Sequence, residues 1–418
     1  MSKNNEAYKH HIKTRIHEYE PIVGKSTIEE LRVLAGKLSG KTIQNINSTF
    51  SGGGVAEILS RLVPLLNQLD VNAHWNIISA DEPFFEVTKK FHNALHNKPE
   101  QLSKGDYELF LKVSQKNLDE LNLQGDIFFI HDPQPVVLIE NRAKLGGKWL
   151  WRCHVDVSNP NTEVWEFLHN YIVKYDGVVF SSPHFSQALP NRQFLIPPSI
   201  DPLSDKNREL SDETIRGVLN KYKIDLDKPI ILQVSRYDYL KDPVGVIQAF
   251  KMVRKSIDCQ LILAGGTATD DPESDRVLSD VYESAGPDPD IHILLIPSGS
   301  DIEINALQRA ATVILQKSLK EGFGLTITEA LWKSKPVVAS AVGGIPLQIK
   351  NKFTGLLCYS IEGAAYALKQ LLSNREYASW LGRNGHQHIK QNYLITRHIK
   401  DYLLLFIAIN NNAEIISL

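Results

Sequence analysis

The sequence predicts an α/β protein made of two doubly wound parallel sheets that follow one another along the chain. Short apolar runs of strand length alternate with longer stretches whose apolar residues recur every three or four positions. Glycine turns stand directly after several of those runs, at Ser51-Gly52-Gly53-Gly54, Gly265-Gly266 and Gly322-Phe323-Gly324. A chain of 418 residues also exceeds what one hydrophobic core usually organises. The proline-rich span Ile196 to Ser204 therefore reads as the junction between two series of elements.

In the first series, Thr27 to Leu38 reads as a helix because Ile28, Leu31, Leu34, Ala35 and Leu38 fall on one face. With the polar lead segment before it, this helix forms an N-terminal arm. Thr42 to Asn47 reads as a strand and Val55 to Leu69 as an amphipathic helix, with the triple glycine between them. Alone, that glycine run marks only a tight turn, and it lacks the G-x-G-x-x-G spacing of a dinucleotide site. After the first strand of a parallel sheet, Gly53 and Gly54 would let the backbone approach a diphosphate closely. Further strands are expected at Ala73 to Ile78, Ile127 to His131, Trp149 to His154 and Val178 to Ser181, with helices at Tyr107 to Leu121 and Thr162 to Val173. Such sheets bind ligands at the carboxyl ends of their strands, which singles out His131-Asp132 and His154-Val155-Asp156. The plain alternative is a histidine held by a neighbouring carboxylate. A metal set of His131, Asp132, His154 and Asp156 is weaker, since no ligand pair shares one helix.

In the second series, Ser211 to Tyr222 reads as a helix and Pro229 to Val234 as a strand. Arg236 and Lys241 follow that strand on one loop, a planar fork and a point charge suited to a diphosphate. Gln260 to Ala264 with its trailing glycines repeats the strand-then-glycine device, and Asp270-Asp271 reads as a loop. Thr312 to Gln316 is another strand; Pro336 to Ser340, followed by Gly343-Gly344, closes the second sheet. Arg375 to Ile409 reads as two helices.

Composition narrows the classes of function. Hydrophobic residues at 43% and charged residues at 22% are ordinary for a soluble globular chain. A formal net charge of -2 gives no global pull toward nucleic acid or anionic membrane, so any anion must be held by local groups. No stretch reaches membrane-spanning length, and no apolar run opens the chain, so neither a membrane span nor a signal peptide is expected. Cys153, Cys259 and Cys358 lack metal spacing and fit a reduced cytoplasm.

The densest chemistry lies between Glu321 and Glu329. Gly322 and Gly324 permit a tight turn, and the helix expected from Thr326 to Lys333 would offer free amides to an anion. Both carboxylates reach a ligand lying over the turn, but they repel phosphate. Their partners are hydroxyl groups, best taken two at a time as a vicinal diol. A ligand with diols at both ends and phosphate in the middle is a nucleotide-sugar. The competing reading makes the two acids a helix cap and a surface charge.

Two glutamates with seven residues between them and Gly-Phe-Gly after the first resemble the donor-site signature of retaining glycosyltransferases of the GT-B type, family four. Ser235-Arg236, Lys241 and Gly343-Gly344 extend the resemblance over nearly the whole chain. Within that family, Asn47-Ser48-Thr49, Gly52-Gly53-Gly54-Val55-Ala56-Glu57, His131-Asp132-Pro133-Gln134-Pro135, Trp151-Arg152-Cys153-His154 and Pro197-Pro198-Ser199-Ile200-Asp201-Pro202-Leu203 resemble the trehalose glycosyltransferring synthases. Leu240 stands before Lys241 where that pattern carries an aromatic.

The resemblance implies a GT-B fold, with residues 1–203 as an acceptor-side Rossmann-like domain, 204–390 as the nucleotide-sugar donor domain and 391–418 crossing back to the first. It implies transfer of glucose, with retention, from UDP-, ADP- or GDP-glucose to free glucose, giving α,α-trehalose in a reaction that runs either way according to supply. A sucrose-type, phosphorylated-sugar or glycan acceptor stays open, as do a nucleotide-sugar epimerase and a non-catalytic binding module. By the same resemblance Arg236 and Lys241 hold the diphosphate, Glu329 the ribose diol and Glu321 the donor sugar's hydroxyls. The amides of Gly322, Phe323, Gly324, Leu325 and Thr326 lie by the sugar and phosphate. His154 stands near the anomeric carbon, Asp132 orients acceptor or donor, and Gly53 and Gly54 lie against diphosphate or acceptor. No cofactor is expected, with Mg2+ at most an activator, and the N-terminal arm is a candidate for pairing subunits into a homodimer.

Overall fold

A computed structural model describes residues 14–50, 53–266 and 272–411. The expectations for the start of the N-terminal arm, for Gly52 and for Asp270-Asp271 fall outside the described residues. The chain divides into two compact units: one runs to Pro198 and takes in the chain from Ile395, and the other spans Ser199–Leu394.

Each unit is organised by a six-stranded, wholly parallel sheet. In the first, β1 (Thr42–Asn47), β2 (Asn72–Ile77), β3 (Ile127–His131), β4 (Lys148–Cys153), β5 (Gly177–Phe180) and β6 (Arg192–Leu195) lie in the order β2-β1-β3-β4-β5-β6. In the second, β7 (Ile230–Val234), β8 (Gln260–Gly265), β9 (Ile291–Leu295), β10 (Val313–Gln316), β11 (Val337–Ser340) and β12 (Leu356–Cys358) lie in the order β12-β11-β10-β7-β8-β9. The winding reverses between β1 and β3, where Asn45 registers with Phe129, and between β7 and β10, where Ile231 registers with Val313. Loops leaving two strands at such a reversal part company and open a crevice at their carboxyl ends.

Continuous apolar strands explain the burial. β3 and β4 are buried along nearly their whole length, and Phe128 stacks on Trp149 with centroids 4.4 Å apart. Helices Glu82–Leu95 and Lys104–Glu120 cover this core with Phe84, Phe91 and Phe110. The second helix is started by a capping box in which Ser103 and Asp106 exchange hydrogen bonds. In the other unit Pro243–Arg254 lays Val246, Ile247, Phe250 and Val253 into a core that includes Ile231 of β7 and Leu261 and Leu263 of β8.

Several boundaries differ from expectation. The second sheet does not end at Pro336 to Ser340, because Leu356–Cys358 pairs with β11 and forms the edge. β6 and β9 were also unforeseen, one largely exposed and the other half-buried, so neither shows a continuous apolar run. The first glycine-linked helix is Gly53–Gln68, so Gly53 and Gly54 form its opening turn and not a free loop. Helix Ile395–Asn410 belongs to the first unit. Its Tyr402 and Phe406 meet Phe129 of β3 at 5.1 and 5.6 Å, its Arg397 donates to the carbonyls of Pro197 and Pro198, and Lys400 pairs with Glu30. All three cysteines are free and buried, and no described helix is long and apolar enough to cross a membrane.

Candidate functional site

At the reversal point of the second sheet, the loop after β7 and the loop after β10 bring Lys241 and Glu321 together. Lys241 Nζ lies 2.7 Å from Glu321 Oε2, and Ser318 Oγ donates to the same oxygen at 3.2 Å. The β7 loop is shaped by two backbone constraints. A Cβ on Gly265 would lie 1.7 Å from the Ser235 carbonyl oxygen, so only glycine allows β8 to end there. Asp242 takes a left-handed conformation (φ 49°), caps helix Pro243–Arg254 through the Gly245 amide at 3.1 Å, and pairs with Lys317. Gln233 Nε2 fixes the loop by donating to the Lys241 carbonyl at 2.8 Å. Arg236 is different: its side chain is 62% exposed, and among the described residues its one ion pair is with Asp238, at 3.4 Å. It is free to swing onto a ligand.

The glycine turn has its own support. Gly324 is left-handed (φ 85°) and forms the N-cap of helix Leu325–Trp332, one residue earlier than expected. The Gly344 amide donates to the Gly322 carbonyl at 3.1 Å, and a Cβ on Gly344 would stand 2.5 Å from that oxygen. Gln348 holds the Phe323 carbonyl, and Phe323 is buried beside Tyr393 at 5.6 Å. Leu325 and Thr326 thus begin a helix whose first amides are open to an anion.

Glu321 and Glu329 are 9% and 2% exposed, so neither is a surface charge. Glu329 Oε2 accepts from Gln308 Nε2 at 3.1 Å, and Lys206 Nζ lies 3.9 Å from Oε1. Behind it Lys333 donates to Asn207 Oδ1 at 2.9 Å and to the Glu329 carbonyl at 3.2 Å. Burial pulls the Lys333 ammonium down to about 7, against the nearby Glu329 charge that holds it up. Sequence reasoning missed Gln308, Lys206, Asn207 and Lys333. Lysine in a helix facing the buried side was the one available signal.

The arrangement has a chemical sense. A lysine carries three donors and Glu321 takes one, which leaves Lys241 able to reach phosphate oxygens while its partner accepts from hydroxyls. Cation and carboxylate at one turn thus match the two chemistries of a nucleotide-sugar.

At the reversal point of the first sheet the groups are mostly uncharged. β3 ends at His131, and Asp132 then turns left-handed (φ 67°), its amide donating to the Arg152 carbonyl at 2.7 Å. Asp132 Oδ1 accepts from the His154 backbone amide at 2.8 Å, and the Asp132 carbonyl accepts from Trp151 Nε1 at 3.0 Å. Burial lifts the Asp132 carboxyl to about 7, although the His154 amide and the Arg152 charge pull the other way. His131 and His154 stack with centroids 5.5 Å apart and share a hydrogen bond of 3.2 Å from ring to ring. Burial, with the Arg152 charge adding to it, pushes both imidazoles well below their usual range. Asp132 thus holds the backbone of His154 and not its ring.

The alternative metal set does not assemble. Asp156 accepts from its own neighbour Ser158, at 2.6 Å from the hydroxyl, and among the described residues no group of three such side chains could hold an ion. Asn47 at the end of β1 accepts from Trp75 Nε1 at 2.7 Å, just ahead of the helix opened by Gly53 and Gly54.

Residues 45–187 match the family model described as trehalose synthase, N-terminal domain, and residues 216–388 match that of the glycosyl transferases group 1. A trehalose synthase from Thermococcus litoralis is 43% identical over 395 residues, covering 93% of this chain and 96% of that protein. One from Rubrobacter xylanophilus is 43% identical over 399 residues, covering 93% and 95%. Among solved structures, an α,α-trehalose-phosphate synthase (UDP-forming) from Burkholderia vietnamiensis superposes with a TM-score of 0.71 at 14% identity, covering 90% of this chain and 99% of that one. At that identity the likeness speaks for the GT-B fold alone.

Proposed function

Because this chain belongs to the trehalose synthase family of glycosyltransferases, we propose that it transfers glucose from a nucleoside-diphosphate glucose to free glucose with retention, giving α,α-trehalose. The observation that carries this reading is the Lys241–Glu321 contact of 2.7 Å at the head of the glycine turn. It supports a donor whose diphosphate meets the lysine and whose sugar hydroxyls meet the glutamate. Buried Glu329 then takes the ribose diol, and Arg236 closes on the diphosphate from its exposed position.

In the reaction, the bond from the anomeric carbon to the diphosphate oxygen breaks and the electron pair leaves with the diphosphate. Positive charge develops on the sugar ring and negative charge on the departing group. Fixed cations and amides at the phosphate lower that barrier; loss of one such donor costs about 3 to 4 kcal/mol in comparable sites. The acceptor hydroxyl forms its new bond on the face the diphosphate leaves, and its proton passes to the departing phosphate oxygen. Double displacement would instead need a carboxylate nucleophile beneath the anomeric carbon. Asp132, lifted to about 7 by burial, is held by the His154 amide and reads as an orienting group for a sugar hydroxyl. Arg236, Lys241, Leu325 and Thr326 do the electrostatic work without a metal.

The test is a product assay: purified protein with UDP-, ADP- or GDP-glucose and either free glucose or glucose 6-phosphate, read by mass and anomeric NMR. An α,α-linked disaccharide from free glucose is the expected result, and the same assay reads the preferred base. Reaction only with the phosphorylated sugar would overturn the acceptor assignment, and donor consumption without any acceptor would replace transfer by isomerisation.

A further inference from the structure

Arg152 is a charged residue inside the buried strand β4 and is itself fully buried. Among the described residues it has no carboxylate at ion-pair distance. Its Nη2 donates to the Ile196 carbonyl at 2.8 Å, its Nη1 finds no partner, and its guanidinium lies over the Tyr402 ring at 5.5 Å. Burying an arginine on such terms is costly, and a group kept at that cost usually serves something beyond packing. The remaining nitrogen, Nε, points at His154 Nδ1 at 3.5 Å.

That contact is one end of a chain whose direction can be worked out from both ends. At the far end, Asn45 Nδ2 donates to the His74 carbonyl at 3.2 Å, so its Oδ1 must be the atom that faces His131 Nε2 at 3.3 Å. His131 must therefore carry its proton on Nε2 and leave Nδ1 bare. The bare Nδ1 lies 3.2 Å from His154 Nε2, which must then be the protonated nitrogen of that ring. His154 Nδ1 is bare in turn, and it meets the Arg152 Nε–H. Starting from the arginine, which can only donate, gives the same assignment in reverse.

We infer that Arg152 is a positioning residue for His154: with Asn45 and His131 it fixes the ring as the neutral Nε2–H tautomer and denies it a proton. A proton added to His154 at Nδ1 would face the Arg152 N–H, and one added to His131 at Nδ1 would face the His154 N–H. Of the groups around the rings, the arginines oppose a further proton, and Asp132, whose charge would favour one, is tied to the His154 backbone and not to its ring. Arg152 and Arg397 are cationic, His398 and Tyr402 from the C-terminal helix face the same cluster, and Asp132 bonds the His154 backbone. Both ring nitrogens of His154 are engaged within the protein, so the residue enters the proposed sugar site as a rigid, uncharged wall and not as an acid or base. That last consequence rests on the function proposed above; the tautomer rests on geometry alone.

The test uses the full chain labelled with nitrogen-15 histidine, with His131→Asn and His154→Asn variants to assign the two rings. In the native protein both rings keep the neutral Nε2–H pattern from about pH 8 to pH 5, a window in which an ordinary imidazole titrates. In Arg152→Met the His154 ring is expected to lose its fixed tautomer and to titrate inside that window, and the pH profile of kcat acquires a matching limb. Should that variant not fold, Asn45→Asp attacks the other end. Its carboxylate holds His131 protonated, the His131 Nδ1–H then confronts His154, and His154 is expected to give up its Nε2 proton. Titration of His154 in the native protein, or an unchanged Nε2–H pattern in the folded variants, would overturn the inference. Absence of trehalose as product would overturn only the function proposed above, since the tautomer pattern is read without substrate.

Discussion

At the reversal point of the second sheet the candidate groups are ionic: Lys241 faces Glu321, Lys317 faces Asp242, and Arg236 stands exposed. At the reversal point of the first sheet they are mostly neutral: two uncharged imidazoles, a carboxyl that burial lifts to about 7, and one arginine with no ion pair among the described residues. One topology supports both because it dictates only where the strands end. What lines the crevice depends on how well each group is desolvated and partnered. A crevice built of ion pairs suits a ligand whose charge changes during reaction, and a neutral hydrogen-bonded one suits a sugar that must be oriented.

The contrast is broken most completely at Lys241. Lys241→Ala leaves Glu321 as an unpaired, nearly buried carboxylate, so stability is expected to fall by about 3 kcal/mol and kcat by roughly 1000-fold, read by denaturant unfolding and steady-state rates. Normal turnover in that variant would end the ionic account of the crevice. Arg236→Ala separates charge from folding: a loss of about 100- to 1000-fold in kcat is expected with an unchanged unfolding midpoint, because the side chain is 62% exposed. A drop in that midpoint would give the residue a structural role instead. Gly344→Ala probes the turn without touching charge. Its Cβ meets the Gly322 carbonyl oxygen at 2.5 Å, and a loss of about 1 to 3 kcal/mol is expected from overpacking.

The neutral crevice shows itself through pH instead. Burial raises the Asp132 carboxyl from 3.8 to about 7, so the folded state favours its protonated form. The stability this contributes is complete below the ordinary carboxyl range and is lost as pH rises through about 7. Asp132→Asn removes that dependence while keeping an oxygen for the His154 amide. The variant's thermal midpoint is therefore expected to gain on the native protein above pH 7 and to converge with it in acid; a gap that widens in acid would reverse the assignment.

Much of this frame is legible in the sequence for a local reason. β3, β7 and β10 are largely apolar runs followed at once by polar loops, and Glu321, Gly324 and Glu329 sit within one turn and helix. What escaped notice comes from long range or from weak patterns. Asn207 and Lys333 are 126 positions apart yet bonded, and Gln308 reaches Glu329 from another helix. β12 is three residues long and β6 is mostly exposed, so neither announces itself by hydrophobicity. Arg152 offered a signal of another kind: a cation set between Trp151 and Cys153 in a stretch of large apolar side chains marks a charge that the fold buries.

The C-terminal helix carries a consequence for how the protein is made. The second unit is one unbroken stretch, Ser199–Leu394, but the first is completed by residues that follow it. On a ribosome the second unit can fold as it emerges, whereas the first waits, with Phe129 and Arg152 uncovered, until Tyr402 and Phe406 arrive. Of the two units, the one whose synthesis begins earlier is thus completed later.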